Sequence, residues 1–520
     1  MTININHKTI AVPEGKTILQ LAESEGIEIP TMCYSEGYHN HPSCMICMVK
    51  DARSGKLLPA CATRATDGME ILTDDEEVWE ARKEALELLI SDHVGDCEAP
   101  CRNGCPAFMD IPRMNRLIAA GRFKEALQVV KEEIALPLIL GYICPAPCEK
   151  VCRRRQADEA VSICQLKKFT AAHDYQNNNP WFPEKEKPSG KQVAVIGSGP
   201  AGLASAFHLV KAGHKVLVFE KELRAGGNLL KIPEDQLPHA ALQTELDWLE
   251  AFGVEFRTGE TVTKDMFLYQ FPVEFDAVVL ATGSTETNVP HFLGLEYHKS
   301  GLIADPETYE TRHEGVFACG SVIREQKMAV RALAQGKAAA HNVNRYLEGK
   351  KPEMMLKKFN SKFGKLLEDE VAEYMKEAHA DERLEPAAGK LPGFSEKEAM
   401  TEAARCMHCD CRKVDNCKLR DYADEYQIER RKYLTGERKT IRKLFTHESI
   451  VYEPEKCIRC GLCVDIAKAE KELEGLSFIG RGFIVKIEVP FSGHLEKALK
   501  STALKCARLC PTGAISEKRL

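Results

Sequence analysis

The chain is 520 residues long, with 44% hydrophobic and 28% charged side chains. That is enough for about three to five ordinary domains, so the fold is a question of modules. A formal net charge of −6 argues against a nucleic-acid binder, and no charged-then-apolar leader or apolar run of roughly 18 residues points to a membrane. The expectation is a soluble, cytoplasmic protein. A reducing compartment disfavours structural disulfides, so 21 cysteines point to metal or redox chemistry, and exposed clusters in that number favour an anaerobic host.

All but one of the 21 cysteines fall into five bunches, and Cys319 stands alone. Cys33, Cys44, Cys47 and Cys61 follow C-x10-C-x2-C-x13-C, a spacing that suits a 2Fe-2S centre. Cys457, Cys460 and Cys463 make C-x2-C-x2-C, completed downstream by Cys510-Pro511, which suits a 4Fe-4S centre. Between them lie Cys97, Cys101 and Cys105, then Cys144, Cys148, Cys152 and Cys164, and later Cys406, Cys409, Cys411 and Cys417.

In chain order, residues 2–12 alternate apolar and polar side chains, a Pro-Glu-Gly turn follows, and 17–25 reads as a short amphipathic helix before Cys33. This order over 1–78 resembles the 2Fe-2S β-grasp domain at the start of the large peripheral subunit of respiratory complex I and of iron-only hydrogenases. Zinc is disfavoured there because only one C-x2-C knuckle is present. A helical segment over 76–90 leads to His93 and Cys97. In complex I-type subunits a helix ending in His-x3-Cys supplies a histidine-ligated 4Fe-4S cluster.

The stretch 105–168 carries Asp110-Ile111-Pro112, Gly121-Arg122-Phe123, and Cys144-Pro145-Ala146-Pro147-Cys148 with Cys152. It resembles the small subunit of glutamate synthase and the N-terminal part of dihydropyrimidine dehydrogenase, families with two 4Fe-4S clusters here. The resemblance implies a helical domain over 79–176. It departs from the pattern twice, with a cysteine missing from the first motif near His93 and with Cys164 near the usual non-cysteine ligand. The implied ligand sets are His93, Cys97, Cys101 and Cys152 for one cluster, and Cys105, Cys144, Cys148 and Cys164 for the other. Residues 177–190, rich in Asn, Pro, Lys and Glu, read as a linker.

A buried-type strand at 192–196 runs into Gly197-Ser-Gly199-Pro200-Ala201-Gly202, and a second strand at 215–219 ends on Glu220. Strand, glycine turn, helix, strand and terminal acid form the dinucleotide fingerprint, with pyrophosphate at the helix N-terminus and Glu220 at the ribose. Gly226, Gly227, Thr282, Gly283, Gly320 and Ser321 continue the resemblance to glutamate-synthase-type flavoproteins and imply FAD in a Rossmann-like domain over 191–350. Ser321 stands where such families place an aspartate. Cys319 reads as a small buried hydrophobe. Only 31 residues separate Gly283 from Gly315, where the parent families insert a nicotinamide-binding domain, and one βαβ unit alone takes roughly 30 or more. The chain shows no second glycine fingerprint, so a nicotinamide site is expected on a partner.

Residues 351–400 are expected to be a helical connector, with Met354, Leu356, Phe359, Phe363 and Leu366 packing on the flavin domain. Over 401–445, Cys406, Cys409, Cys411 and Cys417 read as another 4Fe-4S centre, with structural zinc the alternative. The basic stretch from Arg430 to Lys443 reads as a solvated helix face, with a docking surface the alternative. Residues 446–520 resemble a ferredoxin-like 4Fe-4S module. Cys506 takes the position of a second-cluster ligand, but Ala467 stands where its companion would lie, so one cluster is expected.

The fold class is therefore multidomain α/β and α+β: β-grasp, helical cluster domain, Rossmann-like FAD domain and ferredoxin-like domain. The expected cofactors are FAD, one 2Fe-2S and three or four 4Fe-4S clusters. No residue is singled out as catalytic. The implied function is an electron-transfer subunit relaying electrons between a nicotinamide- or ferredoxin-using partner, such as a NADH-binding flavoprotein, and a formate dehydrogenase or hydrogenase type of catalytic subunit. The alternatives are a self-standing NAD(P)H:acceptor reductase and a non-turnover cluster scaffold or sensor. A glutamate synthase small subunit is disfavoured by the missing domain.

Overall fold

Period-two alternation at the N-terminus is satisfied by a sheet with one buried face. Thr2–Ile5 pairs antiparallel with Lys8–Ala11 and parallel with Glu70–Leu72, which pairs with Met48–Asp51 and through it with Lys56–Pro59. Helix Ile18–Ser24 lies on it, started by a capping box in which Thr17 and Gln20 each satisfy the other's backbone amide. Ile3, Ile5, Ile18, Leu19, Val49 and Ile71 form the core between them. The computed structural model describes residues 2–518 apart from 177–179, 285–293, 300, 356, 435, 437–439 and 446.

The chain divides into two compact units. The first comprises Met1–Glu98, Lys357–Lys376 and Cys409–Arg519, so three stretches far apart in sequence share one body. After the β-grasp sheet, helix Glu76–Asp92 is capped by Asp75, whose carboxylate accepts from Val78 N. Its side is covered by helix Lys418–Glu425, with Trp79 stacked on Tyr426 at 4.2 Å. The C-terminal part pairs Ile450–Tyr452 with Ile515–Glu517 and Ser477–Ile479 with Lys486–Glu488, both antiparallel. Helices Leu462–Ala469 and Ala503–Leu509 pack on one another.

Two expectations for this unit are corrected. Residues 357–367 hold no helix or strand, and the expected connector is helical only at Glu368–Met375 and Glu396–Ala403. Phe359 packs with Leu86 and Tyr422 of the first unit rather than on the flavin domain. The backbone explains this, because Ser361 O accepts from Cys97 N and Asp96 Oδ1 accepts from Phe363 N. Nor do the described residues of the basic stretch form a helix. Lys432 pairs with Glu87 at 2.7 Å, Arg442 with Glu455 and Glu488, and Lys443 is buried over the Tyr374 ring. Lys432 and Arg442 thus neutralise acids of their own unit. Arg438 and Lys439 lie outside the described residues.

The second unit comprises Ala99–Leu356 and Glu377–His408. Helices Ile111–Ala119, Phe123–Glu133, Pro137–Ile143 and Ile163–Tyr175 form one layer, joined by Glu396–Ala403. Residues 180–190 of the expected linker form no helix or strand, while Asn177 and its two successors lie outside the described residues. The rest is a parallel sheet with Gln192–Ile196 at its centre, flanked by Lys215–Glu220 then Val254–Thr258 on one side and Ala277–Leu280 then Val316–Ala318 on the other. That order places a crevice beside the carboxyl end of the central strand. Between Gly283 and Gly315 the described residues form only the two-residue strands Tyr297–His298 and Gly301–Leu302.

Candidate cluster and dinucleotide sites

The β-grasp loop brings Cys33, Cys44, Cys47 and Cys61 together, all buried. Cys33 lies within hydrogen-bonding reach of Cys44 and Cys61, and Cys47 of Cys61. Contact with Cys44, then Cys61, holds the Cys33 thiol well below its ordinary pKa, and backbone amides of Cys44 and Ser43 also donate to it. The same contacts push the Cys44 and Cys61 thiols up, so the four thiols sit close enough to share protons, the proximity that a common metal group requires. Asn40 ties the loop by donating to Cys61 O at 2.7 Å.

In the second unit, Cys144 contacts Cys164, and Cys164 contacts Cys148. Lys167 adjoins this set. Burial opposes its charge, yet the thiols of Cys164, Cys144, Cys148 and Cys105 hold it protonated above its ordinary range. An ammonium facing four thiols is what a negatively charged cluster would find already in place. Glu149 fixes the segment by accepting from Cys164 N at 2.9 Å and pairing with Arg383 at 3.1 Å.

Cys101, Cys152 and Cys406 also belong to the second unit. Helix Pro100–Gly104 lies on Pro147–Lys150 so closely that a Cβ at Gly104 would meet Val151 Cγ2 at 2.5 Å. Arg154 donates to Arg405 O at 2.9 Å, which draws the residue before Cys406 towards Cys152. Arg405 is buried and answered by Asp158 and Glu402, both at 3.0 Å.

His93, Cys97, Cys411 and Cys417 all belong to the first unit. Cys411 N donates to Cys97 O at 3.0 Å. Burial, then the neighbouring Cys411, pushes the Cys97 thiol up to about 11, and burial, Cys411 and Cys97 push Cys417 to about 12. Cys409 stands beside Lys443, and Cys406 belongs to the second unit. Cys411 and Cys417 sit with Cys97 instead.

Cys457, Cys460, Cys463 and Cys510 line a cavity of about 20 Å³ with Ile458, Pro511 and Ile515 among its walls. Arg459 N donates to Cys457 Sγ at 3.3 Å. Left-handed backbone at Arg459 and Gly461 coils the C-x2-C-x2-C segment, and a Cβ at Gly461 would press on His41. Cys506 is buried outside that lining, its Sγ 3.8 Å from Cys463 O. Among the described residues no three His, Cys, Asp or Glu side chains close on one point as a single bound ion requires.

The glycine turn shows why each position is glycine. Gly197 has φ +103 and abuts the Ala281 carbonyl, and a Cβ at Gly202 would overlap Gly197 O. Gly199 meets nothing within 4 Å, nor does Gly283. Pro200 opens helix Pro200–Lys211, Gly227 approaches Gly199, and Gly320 approaches Ala201. The predicted residues thus surround one open cradle at a helix N-terminus, which fits a dinucleotide pyrophosphate. Glu220 accepts from Ser198 N at 3.1 Å and Ser198 Oγ at 2.6 Å, and Ser198 Oγ in turn accepts from Gly226 N. Gly320 N donates to Gln335 Oε1 at 2.9 Å and Ser321 Oγ accepts from Gln326 N, so serine here ties down its own loop. Cys319 is fully buried, 3.5 Å from Ser205 Oγ, with its thiol pushed up to about 12 by burial.

Three families match this chain. Residues 1–76 match the 2Fe-2S iron-sulfur cluster binding domain, residues 76–179 the dihydropyrimidine dehydrogenase domain II with a 4Fe-4S cluster, and residues 195–252 the NAD(P)-binding Rossmann-like domain. The chain combines iron-sulfur domains with a Rossmann-like domain. Its relatives include the NADP(+)-dependent formate dehydrogenase subunit beta of Moorella thermoacetica, 37% identical over 36% of this chain and 29% of the relative. The NADPH-Fe(3+) oxidoreductase subunit beta of Geobacter sulfurreducens is 36% identical over 36% of this chain and 28% of its own. The glutamate synthase [NADPH] small chain of Mycobacterium tuberculosis is 40% identical over 36% and 39%. The chain therefore spans well under half the length of these relatives. Among the described residues no helix is long and apolar enough to cross a membrane.

Proposed function

We propose that this chain is an FAD- and iron-sulfur-dependent electron-transfer subunit of a multisubunit cytoplasmic oxidoreductase. It would relay electrons between a nicotinamide- or ferredoxin-using partner and a catalytic subunit of formate dehydrogenase or hydrogenase type. The observation that carries the reading is the pairing of one open pyrophosphate cradle at Gly199 with several buried thiol sets in the same chain. Relatives named as beta subunits of a formate dehydrogenase and of an Fe(3+) oxidoreductase support it.

FAD, when bound, exchanges electrons in pairs with hydride donors and singly with clusters. The chain's residues would bind and position it. The amides at the start of helix Pro200–Lys211 would receive the pyrophosphate, and Glu220, held by Ser198, would face the ribose. Burial and amide donors at the thiols would set the cluster potentials. The described residues between Gly283 and Gly315 form two short strands and no βαβ unit, which favours a partner as the source of the nicotinamide site.

The match of residues 195–252 to an NAD(P)-binding family favours a second reading, in which the cradle takes a nicotinamide nucleotide directly. Anaerobic purification with flavin, iron and zinc counts and identification of co-purifying chains separates the two. The proposed role expects bound FAD, iron in excess of zinc, and reduction by NADH or NADPH only with partner subunits present. A flavin-free chain that binds and oxidises NADPH alone would overturn it.

A further inference from the structure

We infer that His93, Cys97, Cys411 and Cys417 together ligate one 4Fe-4S cluster, held wholly by the first unit and assembled from the two chain ends that flank residues 98–410. The inference rests on the chain being an iron-sulfur protein, and it replaces the ligand set that pairs His93 and Cys97 with Cys101 and Cys152.

Both chain ends are pinned at the site. Helix Glu76–Asp92 stops at His93, which turns the backbone to ψ 127, and Val94 N then donates to Glu455 O. Cys97 is held from two sides, its N donating to Ser361 O and its O accepting from Cys411 N. The returning end is fixed by Cys417, which starts helix Lys418–Glu425 against helix Glu76–Asp92. The buried pair of Arg420 and Glu98, 2.6 Å apart, locks that helix to the residue following Cys97. Cys411 Sγ lies against the backbone at Gly513, where a Cβ would overlap it, so glycine there leaves the thiol its place.

The imidazole has a reason to join the three thiols. His93 Nδ1 is buried and has no hydrogen-bond partner among the described residues, a state that costs free energy unless something binds it. His93, Cys97 and Cys411 all feel the same ammonium, that of Lys456, which is buried and paired with Glu453 at 2.7 Å. Three thiolates and one neutral imidazole give a cubane one negative charge fewer than four thiolates, and a buried ammonium beside it offsets more. The site would therefore sit at a higher potential than an all-cysteine neighbour. Cys101, Cys152 and Cys406 all lie in the second unit.

The test uses the full chain, purified anaerobically and reduced with dithionite, with iron counts and pulsed EPR read for strongly coupled 14N. The wild type is expected to show one nitrogen-coupled cluster. His93→Cys should keep the iron and lose the nitrogen coupling, which also excludes misfolding as the cause. Cys411→Ser should lose or visibly shift the nitrogen-coupled signal, whereas Cys152→Ser should leave it unchanged. The ligand set is overturned if the wild type, replete in iron, shows no such coupling, or if Cys152→Ser alters it and Cys411→Ser does not. A chain that takes up no iron would instead overturn the iron-sulfur reading itself.

Discussion

Gly199 and Gly202 lie three residues apart in one turn, yet the structure predicts opposite phenotypes when a methyl is added to each. A Cβ at Gly199 meets no atom within 4 Å in the chain alone, and the residue has φ −69 and ψ 178, ordinary for alanine. Losing a good N-cap costs about 0.5–1 kcal/mol, and replacing glycine recovers about 0.4–1 kcal/mol from the unfolded chain. The stability of Gly199→Ala should therefore stay within about 0.5 kcal/mol of wild type. The added methyl does occupy the cradle, and a loss of about 1.4 kcal/mol in cofactor binding is tenfold in affinity. At Gly202 the methyl overlaps the Gly197 carbonyl and presses on Ala281 Cβ, both anchored by the sheet. Helix propensity returns about 1 kcal/mol against about 3 kcal/mol of overpacking, a net loss of about 2 kcal/mol. For a unit of this size that is roughly 4–8 °C in Tm. Differential scanning fluorimetry of the flavin-stripped chain, with flavin rebinding by fluorescence quenching, reads both. Gly199→Ala binding flavin as wild type does, or melting as low as Gly202→Ala, would mean that the flavin lies elsewhere or that Gly199 is crowded by the chain itself.

Cys510→Ser should remove one cluster, about four iron atoms per chain, while Cys506→Ser should leave the iron count unchanged, since Cys506 lies outside the cavity lined by Cys457, Cys460, Cys463 and Cys510; colorimetric iron assay decides. Arg405→Met should cost about 3–5 kcal/mol, because it strands buried Glu402 without its guanidinium; chemical denaturation of the flavin-bearing unit measures it. Lys131 is buried 3.3 Å from the centre of the Trp248 ring, and burial lowers its pKa from the ordinary 10.5 to about 7. Between those values the unfolded chain holds a proton that the folded chain does not. Stability relative to Lys131→Met should thus rise with pH from about 7 towards 10, by at most about 1.4 kcal/mol per unit, and be lowest below pH 7. Paired denaturation curves at pH 6.5 and 9.5 check the sign.

Local patterns were legible where local physics decides. The glycine turn follows from strand, close approach and helix start within ten residues, and Gly197 and Gly202 are crowded by the backbone as the fingerprint requires. The ferredoxin cysteines share one coil, and Cys510 follows a helix that returns to them. The grouping of Cys411 and Cys417 with Cys97 was not legible, because more than 300 residues separate them in sequence while all three belong to one unit. The basic stretch misled for a related reason. Glu87, Glu455 and Glu488, which neutralise it, come from other segments, and composition within a window cannot supply partners from outside it. Phe359 and Phe363 carry helical spacing, but their amides donate to Asp424 and Asp96, and Asn360 and Ser361 between them accept from Glu98 N and Cys97 N.

The central claim is that flavin and clusters in this chain exchange electrons with one another. The direct measurement is to reduce the cofactor-replete chain with dithionite, remove the excess, and mix it rapidly with a substoichiometric one-electron acceptor, following flavin absorbance and cluster EPR together. Flavin and clusters should reoxidise in concert to a common equilibrium. Clusters that reoxidise while the flavin stays reduced would contradict it.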